Sequence, residues 1–390
     1  MASNDPAFDL RDLLAAVESA PPAAAAEAVA VELARRLGAV DVNFWIADYS
    51  GRSVVRAERR PGAPAEHPGG HMPLDDGPWG AALQSQAVQV VADAGQHHIY
   101  VPVTNRGDAV GVLELIVDAV PSHEVLRYLA AAGRAVAYVV AANRQFTDLY
   151  EWGMRTTHFT LPAEIQRRLL PSAFSCEAGP VTIAAWLEPS HDIGGDTFDY
   201  SVDLDTVHLS ITDAVGHELE GAMLATLLVG ALRNGRRRDL DLAAQAANAN
   251  TALRLHAKPH QFVTGQLVRI DLASETALIV NAGHPLPFRL RGGEVTELAL
   301  DADMPFGISP TAQRVQRLDL EPGDRFVFVT DGMLERNAAR VELPDIIRAT
   351  AQEHAREAVH RMTSAVVDAV GGDLRDDATV VCLDWHGAGQ

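Results

Sequence analysis

Thr206-Val207-His208-Leu209-Ser210-Ile211, followed at once by Thr212-Asp213-Ala214-Val215-Gly216-His217, is the stretch on which the fold turns. Val207, Leu209 and Ile211 alternate with their neighbours, the period of a strand with a buried face. An aspartate and a glycine-containing turn then follow. Three further segments have the same form: Gly194-Gly195-Asp196, Thr330-Asp331-Gly332 and Asp376-Asp377-Ala378-Thr379. Each reads as an aspartate at the end of, or in the turn after, an apolar run that forms a buried strand. Carboxylates gathered in this way predict divalent metal, because a buried group of acids without cations repels itself and takes up protons.

Outward from these motifs the second half of the chain reads as mainly strands. They are predicted over 181–187, 206–211, 262–270, 276–281, 325–329 and 379–383, with helices over about 219–235 and 241–256 as a block between the second and third. Antiparallel strands with helices inserted as a block give an α+β fold, most simply a sheet sandwich flanked by helices.

The first half has a different texture. Residues 1–21 form a short helical lead-in that ends at Pro21-Pro22. Residues 22–37 have apolar positions at helical spacing, with Gly38 where a C-cap belongs. Strand signals follow from Val40 to Ile46, Val54 to Arg56, Val88 to Val91 and Ile99 to Val103. The turn Asn105-Arg106-Gly107-Asp108 joins the last of these to 109–117 as a hairpin. Pro61, Pro64, Pro68 and Gly69-Gly70 mark a surface loop over 61–72, and a short helix lies near 79–86. This order, with Pro73-Leu74, Gly77-Pro78-Trp79-Gly80 and Asp93, resembles a GAF domain over 22–120, a sensory module with an antiparallel sheet. A domain that only dimerises or packs on its partner is the other reading. Residues 121–170 are expected as a helical linker, with one helix from Pro121-Ser122 to about Tyr150 and a second over 162–170. The first lies either at a homodimer seam or on its own sheet. The last domain is expected over 171–386.

Composition narrows the function. At 390 residues two domains are the default, and 47% hydrophobic and 22% charged residues are those of a soluble globular chain. No apolar run reaches the roughly 18 residues a spanning helix needs, and no secretory signal is visible at the start. Cys176 and Cys382 form no framework, which suits a reducing cytoplasm. A net charge of −20 argues against nucleic acid or an anionic membrane as partner. The basic run Arg233-Asn234-Gly235-Arg236-Arg237-Arg238 reads as the solvated end of a helix, or else as a contact for a phosphorylated protein partner.

Residues 160–385 resemble a PPM-type metal-dependent serine/threonine protein phosphatase of the SpoIIE/RsbU-like branch. The matching segments, in order, are Ile165 to Pro171, Gly194 to Asp199, Asp213 to His217, Asn281 to Pro285, Met304 to Gly307, Thr330 to Glu335 and Asp376 to Val381. The resemblance implies two Mg²⁺ or Mn²⁺ ions. Asp213 would bridge them, the Ala214 carbonyl would add an oxygen, Asp196 would serve one ion, and Asp331 and Asp376 the other. An all-oxygen donor set suits those hard cations and offers no zinc pattern. The resemblance also implies one-step hydrolysis by metal-activated water without a phosphoenzyme. Its implied substrate is a phosphorylated anti-sigma factor antagonist in a partner-switching pathway, with a small molecule or protein signalling at the GAF-like domain.

Other polar residues have local readings. Asp377 is read as a turn acceptor beside Asp376, and Asp199 either holds water near the metals or caps a turn. His217 is read as a structural hydrogen-bonding group at a helix start, since the family's general-acid role does not carry over. Glu218 stands where glycine is common, and either the loop differs or Glu218 begins the helix. His284 is read as a turn residue, and Ala378 as a packing change where Met is frequent. Two rival functions are a diguanylate cyclase, on Gly194-Gly195-Asp196-Thr197-Phe198, and a non-catalytic phosphatase fold that sequesters a regulatory partner.

Overall fold

In a computed structural model the chain divides into two contact units, 1–158 and 159–390. It describes residues 10–387 apart from 50, 58–70, 75–76, 156–158, 191–193, 217, 335–337, 372–373 and 375. The loop expected over 61–72 and the His217 reading therefore fall wholly or mostly outside the described residues.

The first unit begins with α1 (Leu10–Ser19) and α2 (Ala25–Leu37). Gly38 ends α2 in the left-handed region at φ +61°, as a C-cap glycine does. Strands β1 (Asp41–Ala47), β2 (Ser53–Arg56) and β3 (His71–Pro73) precede α3 (Pro78–Ser85). After them come β4 (Gln89–Asp93), β5 (Gln96–Asn105), β6 (Asp108–Val117), α4 (His123–Asn143) and α5 (Leu149–Gly153). The six strands form one antiparallel sheet in the order β3-β2-β1-β6-β5-β4. Arg106 and Gly107 both take positive φ (48° and 79°), which lets two residues close the β5–β6 hairpin with the right twist.

Of the two readings kept for the helix after Pro121, packing on its own sheet is observed. Leu129, Val136 and Val140 of α4 are buried with Val29 and Leu33 of α2 against Ile99, Val101, Leu113 and Leu115 of the sheet. The approach is close at Gly133, where a Cβ would lie 2.5 Å from the Pro102 carbonyl oxygen. By length and composition α4 also passes as a membrane span, contrary to expectation, yet its apolar side is spent on this core. The expected linker is shared between the units: α4 and α5 lie in the first, and α6 (Leu161–Leu169) in the second.

The second unit continues with β7 (Ser175–Glu177), β8 (Val181–Glu188), β9 (Asp196–Val202) and β10 (Thr206–Ala214). Helices α7 (Glu218–Arg237) and α8 (Leu242–His256) follow, then β11 (Val263–Asp271), β12 (Thr276–Ala282), β13 (Phe288–Arg291) and β14 (Glu294–Glu297). The remainder is β15 (Gln316–Leu318), β16 (Asp324–Val329), α9 (Leu343–Ala349), α10 (Ala355–Val370) and β17 (Ala378–Trp385). Two antiparallel sheets result, ordered β15-β12-β11-β10-β9 and β14-β13-β16-β17-β8-β7.

Leu209, Ile211, Val268 and Ile270 of one sheet pack with Ile183, Phe326, Phe328, Val381 and Leu383 of the other, so the sheets are a sandwich. Each sheet carries helices outside. Leu224, Leu228 and Leu232 of α7 bury against Leu267 and Val280, and Val359, Met362 and Val366 of α10 against Val327 and Val380. Each such buried side chain contributes about 2 kcal/mol. Because β8 and β17 are covered on both faces, they read as near-continuous apolar runs. The expected helix-flanked sandwich is what forms.

Candidate active site

Antiparallel pairing gathers the motifs. Asp213 stands near the C-terminal end of β10 and pairs in register with Asp196, the first residue of β9. Likewise Asp331 follows β16 while Asp376 precedes β17, and Val329 pairs with Val380 between them. Two of the four aspartates thus begin strands rather than end them, a correction to the sequence reading. Strands that run in opposite directions need acids at opposite chain ends to bring them to one edge.

The two sheets are joined at that edge. Thr330 Oγ1 donates to Asp196 Oδ2 at 2.7 Å and Thr379 Oγ1 donates to the same oxygen at 2.6 Å. The Thr379 backbone N–H in turn donates to Thr330 Oγ1 at 3.0 Å. Asp196, Thr330 and Thr379 are all buried. Both hydroxyls take Oδ2, so Oδ1 stays clear of them.

Asp377, read as a turn acceptor, does accept hydrogen bonds, and it is buried. It accepts from the Ser190 N–H at 2.8 Å and from Gln166 Nε2 at 2.6 Å. Gln166 also donates to the Asp196 carbonyl at 2.8 Å, so one buried amide on α6 ties two acidic motifs together. Asp376 is exposed and accepts from the Asp377 N–H at 2.9 Å, while Asp331 is half-buried at the start of a short 3-10 turn.

Two glycines allow the close contacts. A Cβ on Gly195 would lie 2.5 Å from the Ala214 carbonyl oxygen, and one on Gly332 only 2.0 Å from that of Asp377. Gly-Asp and Asp-Gly at these places are steric requirements of the site.

Burial, with Asp213 and Asp377 nearby, pushes the Asp196 carboxyl well above the usual carboxylate range. Asp377 is pushed up to about 7, chiefly by burial, against the opposing effect of its Ser190 and Gln166 bonds. Such a set of acids favours a bound cation. Its donors are carboxylates and carbonyls without thiol or imidazole, which fits Mg²⁺ or Mn²⁺. Among the described residues no three His, Cys, Asp or Glu side chains already converge as a metal cage.

Asp199 lies within a strand and does not cap a turn. It is buried on β9 and accepts from Arg233 Nε and Nη2 at 3.1 and 2.9 Å and from Arg236 Nη2 at 2.7 Å. Two residues of the basic run therefore point inward, and Arg233 also donates to the Leu169 carbonyl at 2.6 Å. A carboxylate three positions after Asp196 thus moors the far half of α7 to the strand that carries the acid. Glu218 does begin α7. His284 sits in the turn after β12, with Nδ1 2.9 Å from Thr264 Oγ1, and burial lowers its pKa to about 3.

Sequence reasoning missed Gln166, Thr330 and Thr379. All three lie inside the motifs quoted for the resemblance, so the signal was present in uncharged positions beside the acids.

Comparison with known proteins finds the following similarities. Residues 203–386 match the family model of Stage II sporulation protein E (SpoIIE). The chain is 22% identical over 231 residues to phosphoserine phosphatase RsbU of Bacillus subtilis (strain 168), covering 57% of this chain and 68% of that protein. Among solved structures it is similar to the RsbU and RsbW domains of Rv1364c from Mycobacterium tuberculosis, at 24% identity and a TM-score of 0.47. That match covers 56% of this chain and 63%, under two thirds, of the other. The SiaA-PP2C domain of Pseudomonas aeruginosa is 22% identical with a TM-score of 0.48, over 57% of this chain and 93% of that one.

Proposed function

We propose that the chain, whose C-terminal unit is a protein serine/threonine phosphatase by its similarity to RsbU and to the SpoIIE model, dephosphorylates a phosphorylated anti-sigma factor antagonist. The observation that carries this reading is the in-register pair of buried Asp196 and half-buried Asp213, with Asp196 tied to the other sheet by Thr330 and Thr379.

Asp196, Asp213 and the Ala214 carbonyl, with Asp331 and Asp376, would hold two Mg²⁺ or Mn²⁺ ions. When bound, the ions supply an activated water and neutralise the phosphoryl charge. The chain's part is positional. Thr330 and Thr379 fix the Asp196 carboxylate, Gln166 and Ser190 fix Asp377, and Gly195 lets the Ala214 carbonyl stand beside the acid. The resemblance to PPM-type phosphatases supports hydrolysis by metal-activated water without a covalent intermediate. The N-terminal unit, GAF-like in its order of elements, receives a small-molecule or protein signal. It pairs two copies as a cytoplasmic homodimer and biases α7, which follows the Asp213 turn.

Hydrolysis of an aryl phosphate by the full chain tests the catalytic reading. Activity should require Mn²⁺, disappear with chelator, and fall in Asp213→Ala by on the order of a thousandfold. A chain that binds its partner yet turns over nothing under any of these conditions is a sequestering module instead.

A further inference from the structure

Beside the acidic turn lies a cavity of about 500 Å³ to which no role has been given. Leu253, Ala257, Pro259, Phe262 and Ile308 make its walls apolar, and Arg254, Lys258 and His260 stand among them. Its position is fixed by the strand that bears the catalytic acid. Val215, two residues after Asp213, donates its N–H to the Phe262 carbonyl at 3.0 Å, and Ala214 pairs with Val263.

Hydrogen bonds from neighbouring groups hold the walls. Buried Asn250 accepts from the Gly307 N–H at 2.8 Å and donates to the Ser309 carbonyl at 2.8 Å, clamping one wall. Gly307 has φ +98°, and a Cβ there would come within 3.3 Å of the Gln261 carbonyl oxygen and Leu253 Cβ. The opposite wall turns through His260 at φ +71°, a conformation held by Gln261 Oε1 accepting from the Lys258 N–H at 2.9 Å. Glu220 of α7 then pairs with Lys258 at 2.6 Å and accepts from Gln261 Nε2 at 3.2 Å.

Charge decides what fits. Glu220 offsets Lys258, but Arg254 makes no ion pair or hydrogen bond among the described residues. An uncompensated guanidinium over an apolar hollow is conspicuous on a chain of net charge −20. The apolar lining is open to a ligand, with Ile308 44% exposed. The cavity takes a few side chains and not a domain, and the chain's overall charge repels an anionic membrane. A peptide leaving the acidic turn reaches it with a few extended residues at about 3.4 Å each.

We infer that this cavity docks an acidic segment of the phosphoprotein substrate that carries an apolar anchor residue, and so selects substrate beside the reaction centre. The inference rests on the phosphatase reading for its substrate, though not for its binding geometry.

Two fluorescent phosphoserine peptides test it. They are identical except that the phosphoserine of one is flanked on both sides by Glu-Leu-Glu and that of the other by Gln-Ser-Gln. The full-length protein with Mn²⁺ should prefer the acidic peptide about tenfold in kcat/KM, mostly through KM. Arg254→Glu and Ile308→Asp should each collapse that ratio towards one, while Arg254→Lys keeps most of it. Equal rates on the two peptides, or a ratio unchanged in both variants, overturns the inference.

Anisotropy with the acidic peptide carrying plain serine, in chelator, reads docking without catalysis. Binding that both variants lose supports the site even where no phosphate is released, and no binding to the wild type overturns it. Failure to hydrolyse either phosphopeptide or an aryl phosphate sinks the phosphatase reading alone.

Discussion

Thr379 donates its hydroxyl to Asp196 Oδ2 at 2.6 Å, although β17 and β9 belong to different sheets. The bond welds the open edge of the sandwich at the acid expected to hold metal. Thr379→Val keeps shape and removes the donor. Metal affinity, read by calorimetric Mn²⁺ titration, should weaken by about 10- to 100-fold, as for other orienting partners of metal ligands. Thr379→Ser should restore most of it. Unchanged Mn²⁺ affinity in Thr379→Val would show that Thr330 alone orients the carboxylate.

The mooring of α7 by Asp199 predicts a stability effect. Asp199→Ala leaves Arg233 and Arg236 facing a buried site without their shared carboxylate. Urea unfolding should show a loss of about 3 kcal/mol, the scale for breaking a buried pair by removing one partner. A loss within about 0.5 kcal/mol, the range of ordinary surface changes, would mean that solvent screens both arginines.

These two sites show where sequence legibility ends. The strands of the sandwich were readable because both faces of β8 and β17 are buried, so apolar residues run continuously. The acids were readable because an aspartate at the border of an apolar run is conspicuous. Strand β9 escaped notice because its sequence, from Asp196 to Val202, carries three polar side chains that turn out to be buried: Asp196, Thr197 and Asp199. Each is satisfied by a residue distant in sequence, such as Thr330, Thr212 or Arg233. Periodicity cannot report such pairings. The cavity beside Phe262 was invisible for the same reason, since its walls come from two segments distant in sequence, 253–262 and 307–308.

Acid should destabilise the fold through His284. Burial holds its folded pKa near 3, below the usual 6.5, so the unfolded chain binds the extra proton first. Its contribution to stability is intact above about pH 6.5 and declines as pH falls towards 3. At pH 5 the loss relative to pH 7.5 should be about 2 kcal/mol for this group. Urea titrations at both pH values, on wild type and His284→Gln, isolate it: the variant should lack that part of the decline. Parallel declines in the two proteins would assign the acid sensitivity elsewhere, with His208, its pKa lowered to about 4 by burial and by Arg236 and Arg269, the next candidate.

Glycine substitutions separate site geometry from helix propensity. At Gly195 an added Cβ meets the Ala214 carbonyl oxygen at 2.5 Å, a backbone atom that yields only if β10 shifts. At exposed Gly230, inside α7, it meets nothing within 4 Å. Gly230→Ala should therefore stabilise the protein by about 0.5–1 kcal/mol, since alanine loses less backbone freedom in a helix. Gly195→Ala should destabilise by about 1–3 kcal/mol, the cost of overpacking, and weaken Mn²⁺ binding along with aryl phosphate hydrolysis. The comparison needs only thermal melts and calorimetry on both variants. If Gly195→Ala bound Mn²⁺ like the wild type, the Ala214 carbonyl would not be a metal donor, and the site would rest on its four aspartates alone.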